Sequence, residues 1–292
     1  MTNNRNNFNW NIIDDSSFPD SRTEKAFDNV MVRARRKEAG NRRRTTAWRW
    51  AVAAAIIILP SFAILISGKF IGKDPAVEIL TASTENGQTK TVTLPDSTKV
   101  MLNSGSAIFY PEKFSRNERR VCLSGEAVFD VTKDNARPFL VSTSDITIKV
   151  FGTLFNVQAY PENDIVTATL CTGSVGISRN SDQDDVAMLR PGEEFKMLKS
   201  NGVFKITSVD AEEATTWKDG GICLNDGTIH DLIHIMERQF NVNIYLTSEK
   251  YDSEVITAKF IHGESIGDIL KVISSLLSEM KYTITNNNIY IH

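Results

Sequence analysis

The chain has 292 residues, 41% hydrophobic and 24% charged, with 33 Lys and Arg against 36 Asp and Glu. That length suggests about two domains, and the composition excludes a collagen, a wholly disordered chain and a multi-span membrane protein. The overall balance conceals an asymmetry, because residues 1–49 carry a net charge of +5 and residues 50–292 a net charge of −8.

Residues 1–46 are too few to build much of a core, but one helix is readable in them. Ser21 and Glu24 match a capping box just after Pro19, and Ala26, Phe27, Val30 and Ala34 follow at helical spacing. Phe8, Trp10, Ile12 and Ile13 form a second apolar cluster upstream. Two readings fit. A basic juxtamembrane helix would lie on anionic lipid, whereas a segment that orders on binding would place its apolar stripe in a partner's groove. Direct nucleic-acid binding is not indicated, since no reading motif is present.

Residues 50–68 hold nineteen positions without a charge. A helix of that length rises about 28 Å, close to the thickness of a bilayer's hydrocarbon core. Trp48 and Trp50 are placed for an aromatic belt, Arg49 can reach back to the headgroups, and Pro60 is of a kind that membrane helices tolerate. A cleaved signal peptide fits poorly, because almost fifty residues precede the run. Eight Arg and Lys between residues 33 and 49 predict a cytoplasmic N-terminus and an exported C-terminal portion. The expected division is therefore 1–46 inside, 47–68 across the membrane, 69–83 as linker, 84–212 as a β domain and 217–292 as an α+β domain.

Beyond the linker the pattern turns to period two. Val92 and Leu94 alternate with polar residues, Pro95-Asp96-Ser97 punctuates a turn, and Val100 and Leu102 resume. Short runs at 120–123, 127–131, 139–141, 146–150, 155–157, 166–170 and 175–177 predict further strands, about a dozen in all. The echo of 121–131 in 169–177 places Gly125 and Gly173 after apolar-rich runs, which suits either stacked solenoid-like coils or a sandwich.

The motifs LPDSTKVMLNSGSAIFYPEKF, RRVCLSGEAVFDVTKDNARPFLV, VFGTLFNVQAYPEN, TLCTGSVGI and LRPGEEF resemble those of the FecR family in order. The family's Pro-Asp-Gly-Ser turn reads Pro95-Asp96-Ser97-Thr98 here. The resemblance implies a membrane-anchored regulator of an extracytoplasmic-function sigma factor. It assigns sigma-factor contact to the inner segment, where Phe8, Trp10, Ile13, Phe27 and Val30 are the candidate contacts.

Residues 217–292 change character again. Strands at 221–224, 242–246 and 255–260 alternate with two amphipathic helices, and a hairpin at 282–291 ends the pattern. Thr228-Ile229-His230-Asp231-Leu232-Ile233 matches Ser265-Ile266-Gly267-Asp268-Ile269-Leu270 at a spacing of 37, with Thr228 and Ser265 as N-caps. This predicts a small α+β domain of two similar βαβ-type halves. It is similar to the C-terminal domain of Bacteroidetes-type FecR proteins and to the secretin and TonB short N-terminal domain. That resemblance implies a partner, the signalling domain of an outer-membrane TonB-dependent receptor, and signal-triggered proteolysis as the mechanism.

Catalytic and metal-binding signals are weak. His230 and His234 lie one turn apart, but no cysteine pair supports a metal site. Glu193 and Glu194 read as a solvated turn. Cys122, Cys171 and Cys223 are expected as buried free thiols on the exported side, with Cys122 and Cys171 pointing to opposite faces. No cofactor, metal or enzymatic activity is indicated. The competing reading, from another class, is an envelope adaptor or glycan-binding scaffold held by one helix.

Overall fold

The computed structural model describes residues 78–181, 185–252, 254–277 and 280–292. The expected inner segment and membrane helix, with Phe8, Trp10, Ile13, Phe27, Val30, Trp48, Arg49, Trp50 and Pro60, lie outside the described residues. Among the described residues, no helix is long and apolar enough to cross a membrane.

Thirteen strands run from residue 79 to residue 208. They are β1 (Ile79–Ser83), β2 (Lys90–Thr93), β3 (Lys99–Leu102), β4 (Ala107–Pro111), β5 (Arg119–Asp130), β6 (Phe139–Ser142) and β7 (Ile146–Val150). There follow β8 (Leu154–Ala159), β9 (Ile165–Thr172), β10 (Val175–Arg179), β11 (Asp185–Leu189), β12 (Glu193–Leu198) and β13 (Phe204–Ser208). All belong to one continuous sheet folded into two layers. The first layer holds β1, β4, the start of β5, β6, β7, β10 and β11. The second holds β2, β3, the rest of β5, β8, β9, β12 and β13. Successive hairpins alternate between the layers, so the two motifs left open by the sequence merge. The result is a sandwich wound like a coil, with one apolar core between the layers.

The twelve-residue strand β5 carries the fold across. Its first half pairs with β6 in parallel, and its second half pairs with β8 antiparallel. The sequence reads this stretch as two strands, because the alternation breaks at Gly125. The break marks the change of layer. Gly125 has φ +102°, and a Cβ there would lie 2.7 Å from the Cα of Ser106, so the crossing has room only for glycine. Ser106 Oγ accepts the next N–H, that of Glu126, at 2.9 Å. The expected linker also shortens, because β1 occupies Ile79–Ser83 and pairs with β4.

The turn between β2 and β3 depends on a buried ion pair. Arg119 is 0% exposed, and its Nη1 donates to Asp96 Oδ2 at 2.9 Å and to the Thr132 carbonyl at 2.7 Å. Its Nε and Nη2 both donate to the Arg137 carbonyl, and Phe139 lies 5.4 Å from the guanidinium. Asp96 also accepts from Thr98 N and Thr98 Oγ1. Ser97 takes φ +68°, a left-handed conformation that favours glycine.

The C-terminal domain comprises β14 (Ile222–Thr228), α1 (Ile229–Phe240), β15 (Asn243–Leu246), β16 (Val255–Phe260), α2 (Ile266–Leu276), β17 (Tyr282–Thr285) and β18 (Asn288–Ile291). The halves interlock instead of closing separately, since β14 pairs with β16 and β15 pairs in parallel with β18. Ile229, Leu232, Ile233 and Met236 of α1 meet Ile269, Leu270 and Ile273 of α2 in a second core. Thr228 and Asp231 form a reciprocal capping box. At the matching position, Ser265 Oγ accepts from Asp268 N and donates to Asp268 Oδ2 at 2.6 Å.

Two substitutions at the β2–β3 turn should move stability in opposite directions in denaturant titrations of the purified chain. Asp96→Ala strands a buried guanidinium and should cost about 3–5 kcal/mol. Ser97→Gly relieves a left-handed residue and should gain up to about 1 kcal/mol.

Candidate functional site at the domain junction

The outer face of the second layer is polar. Glu126 stands opposite Gln158, which stands opposite Thr167, which stands opposite Lys196; Asn156, Thr169 and Glu194 form the next row. Such a face would normally meet water. Here Glu126, Asn156, Thr167 and Thr169 are all buried, because the C-terminal domain and the 3-10 segment Glu213–Asp219 line the other side of a cavity of about 190 Å³. This explains why β9 is buried at successive positions from Val166 to Leu170 instead of alternating.

The polar groups on this face are tied to one another. Asn103 Nδ2 donates to Glu126 Oε2 at 2.8 Å, and Asn156 Nδ2 donates to Oε1 at 2.9 Å. Trp217 Nε1 donates to Asn156 Oδ1 at 3.3 Å, linking the 3-10 segment to the sheet. Burial pushes the Glu126 carboxyl above the usual carboxylate range, while the amides of Asn156 and Asn103 and the charge of Arg238 oppose it.

Arg238, near the end of α1, anchors the helix to the β domain. Its guanidinium lies 3.8 Å from the centroid of the Tyr160 ring, and its Nη1 donates to Glu162 Oε1 at 2.8 Å. Its main-chain carbonyl accepts from Gly87 N at 2.7 Å. Tyr160 is held in turn by its hydroxyl, which donates to the Ser104 carbonyl at 2.8 Å. Burial, chiefly, raises the Tyr160 phenol well above its ordinary value. Glu213 secures the 3-10 segment to β16 through Lys259 Nζ at 2.9 Å, and this bond holds the Glu213 carboxyl below its usual range.

The sequence offers no signal for this junction. Arg238 falls on the polar side of α1, where a solvated residue is the ordinary expectation, and Glu126 stands among the apolar residues of a strand.

Other sequence candidates resolve differently. His230 Nε2 lies 2.9 Å from Asp252 Oδ1, and His234 Nδ1 lies 3.6 Å from Glu237 Oε2. The two histidines thus face separate carboxylates, and among the described residues no group of three His, Cys, Asp or Glu could hold a metal. Glu193 and Glu194 belong to β12 instead of a turn, and Glu194 Oε2 accepts from Thr169 Oγ1 at 3.2 Å. The three cysteines are free but not buried. Cys122 is exposed at an outward position of β5, while Cys171 and Cys223 are half-buried. Burial, reinforced by Glu213, raises the Cys223 thiol to about 11, so it is protonated at neutral pH.

Comparison with known proteins agrees with this architecture. Residues 81–176 match the family described as FecR protein, and residues 221–291 match the one described as FecR, C-terminal. Two crystal structures of a protein from Parabacteroides distasonis ATCC 8503, assigned as an anti-sigma factor, superpose with TM-scores of 0.70 and 0.69. Each is 31% identical to this chain; the matches cover 74% and 73% of it and 99% and 98% of the solved chains. No curated protein matches.

Two measurements probe the junction. Arg238→Ala should cost about 2–3 kcal/mol and split the calorimetric transition of residues 78–292 into two, within the purified full chain. Because the folded state raises the Glu126 pKa, its contribution is fully present below the unfolded pKa and is lost as pH rises through the raised value. Stability should therefore fall across that window, and Glu126→Gln should flatten the slope.

Proposed function

The chain belongs to the FecR family of anti-sigma regulators, and from that membership we propose that it relays an outer-membrane signal to an extracytoplasmic-function sigma factor. In this reading residues 1–46 hold the sigma factor, with Phe8, Trp10, Ile13, Phe27 and Val30 as the apolar contacts. Residues 50–68 cross the inner membrane once, anchored by Trp48, Arg49, Trp50 and Pro60. The two folded domains stand in the periplasm, and the C-terminal one meets the signalling domain of a TonB-dependent receptor.

The supporting observation is the likeness of both folded domains to a protein assigned as an anti-sigma factor, at 31% identity over 74% of this chain. A family of regulators rather than enzymes needs no catalytic group, and the buried polar residues of the junction serve to couple two domains. Only one helix connects the outer domains to the inner segment in this reading. As the family resemblance implies, the signal is passed in this reading by cleavage near or within that helix, which frees the inner segment with its sigma factor. The eight Arg and Lys between residues 33 and 49 suit that orientation.

Phe27→Asp with Val30→Asp in the full chain should reduce co-purification of the sigma factor at least about tenfold, by placing two charges in an apolar contact. Undiminished recovery would mean that residues 1–46 serve only as an anchor, as in an envelope adaptor.

A further inference from the structure

We propose that the outer face of the first β layer lies against the phospholipid headgroups of the membrane that anchors the chain. This rests on the single-span reading above and adds a second contact, made by the folded portion itself.

Register defines the face. Residues that alternate with core positions form two rows across the layer. In one row Ile79 stands opposite Pro111 at one edge, and Arg120, Leu140, Lys149, Gly176 and Met188 are successive partners toward the other. In the next row Thr81, Phe109, Cys122, Ser142, Thr147 and Ser178 are successive partners. Neither row holds an Asp or Glu, and Arg120 and Lys149 are their only charges. Asp185 stands opposite Ser178 at the far edge, where β11 begins. The two layers thus invert the ordinary arrangement. The polar, acid-bearing face of the second layer is covered by the C-terminal domain, whereas in the first layer Ile79, Arg120, Cys122, Lys149 and Met188 are exposed.

The exposed apolar residues of the β domain gather on this layer. Ile79 is 58% exposed and Met188 53%, and Phe151, directly after β7, is 40% exposed. A face with open apolar side chains and cations between them suits the headgroup region of a bilayer.

Chain length and charge identify that occupant. Strand β1 is an edge of the layer, and its start lies within about ten residues of Gly68, where the uncharged run ends. Ten residues reach at most about 36 Å. A tether that short gives a local concentration in the millimolar range, so a surface too weak to bind lipid unaided is sufficient. Residues 78–292 carry a net charge of −9, which an anionic leaflet repels. This face is different. Counting the rim acids Glu78, Glu112 and Glu118 with Lys113, Arg116, Arg120 and Lys149, it carries +1. Arg120 pairs with Glu118 at 2.8 Å, and its Nη1 donates to Ser142 Oγ at 3.0 Å, which holds the guanidinium over the face. Lys149 is exposed opposite Leu140, so its stem can cover apolar surface while its ammonium reaches a phosphate. Because the C-terminal domain covers the opposite layer, this contact turns that domain away from the bilayer.

The test uses the full chain in nanodiscs of phosphatidylglycerol and phosphatidylethanolamine, and reads the reactivity of Lys149 toward a water-soluble acylating reagent. Arg120→Glu with Met188→Glu places two acids on the face at exposed positions and should leave the melting transition unchanged. Lys149 should react at least about threefold more slowly in the wild type than in this variant, while Lys271, exposed on α2, reacts equally in both. A second reading needs no change on the face. With Cys171→Ala and Cys223→Ala, a fluorophore on Cys122 should lose at least about half its emission to lipids carrying a nitroxide headgroup. The same fluorophore after Cys122→Ser with Lys271→Cys should keep nearly all of it. If the chain stays in the discs through an alkaline wash but Cys122 is quenched no more than position 271, the face is wrong and the anchoring reading survives. If the chain washes out, the anchoring reading falls and this inference with it. Protection of Lys149 only in discs holding two chains would make the occupant a second copy, and protection only after periplasmic proteins are added would make it a protein. Either result overturns the proposal.

Discussion

A sheet that buries its polar outer face must satisfy each donor and acceptor it removes from water. Here the face bearing Glu126 and Asn156 is covered by a second domain, and the cost is offset by a chain of bonds. Asn103 and Asn156 hold the Glu126 carboxyl, Trp217 holds Asn156, and Arg238 lies against Tyr160. These contacts join residues far apart in sequence, and they make residues 78–292 one compact unit. Partly satisfied, such a network would be worse than an apolar contact, so its value lies in fixing one relative placement of the two domains.

The same constraint explains the path of the chain. The C-terminal domain covers the second layer, so β9 and the second half of β5 are buried on both faces while the start of β5 alternates. Gly125 is needed where β5 changes layers, and the Ser106 side chain satisfies the backbone immediately after it. The Arg119–Asp96 pair performs a comparable task at the far end of β5, joining the β2–β3 turn to the Thr132 and Arg137 carbonyls.

Much of this is legible in the amino-acid sequence. Strands with clean alternation or marked turns, such as β3 and β7, were readable by period, and both helices were legible from their caps and apolar spacing. Strand β4 was not, because only Ile108 of its residues is fully buried, and β13 is half-buried along most of its length. Strand β12 opens with Glu193 and Glu194, a pair that resembles a turn. The junction was illegible for a different reason. A buried Arg238 and an exposed arginine on a polar helix face carry the same sequence signal, and only the neighbouring domain distinguishes them. In the C-terminal domain the repeat at 37 residues was visible, but the exchange of strands between halves was not, since pairing leaves no mark on periodicity.

Under the proposed function, the junction determines what a receptor can transmit. A partner that grips the C-terminal domain moves the β domain only if the two respond together. Native-state amide exchange on the purified full chain tests that coupling most directly. The account predicts that the slowest amides of α1, β8 and β9 open with one shared free energy. Exchange of α1 through a separate opening of markedly lower free energy, with β8 and β9 still protected, would contradict it.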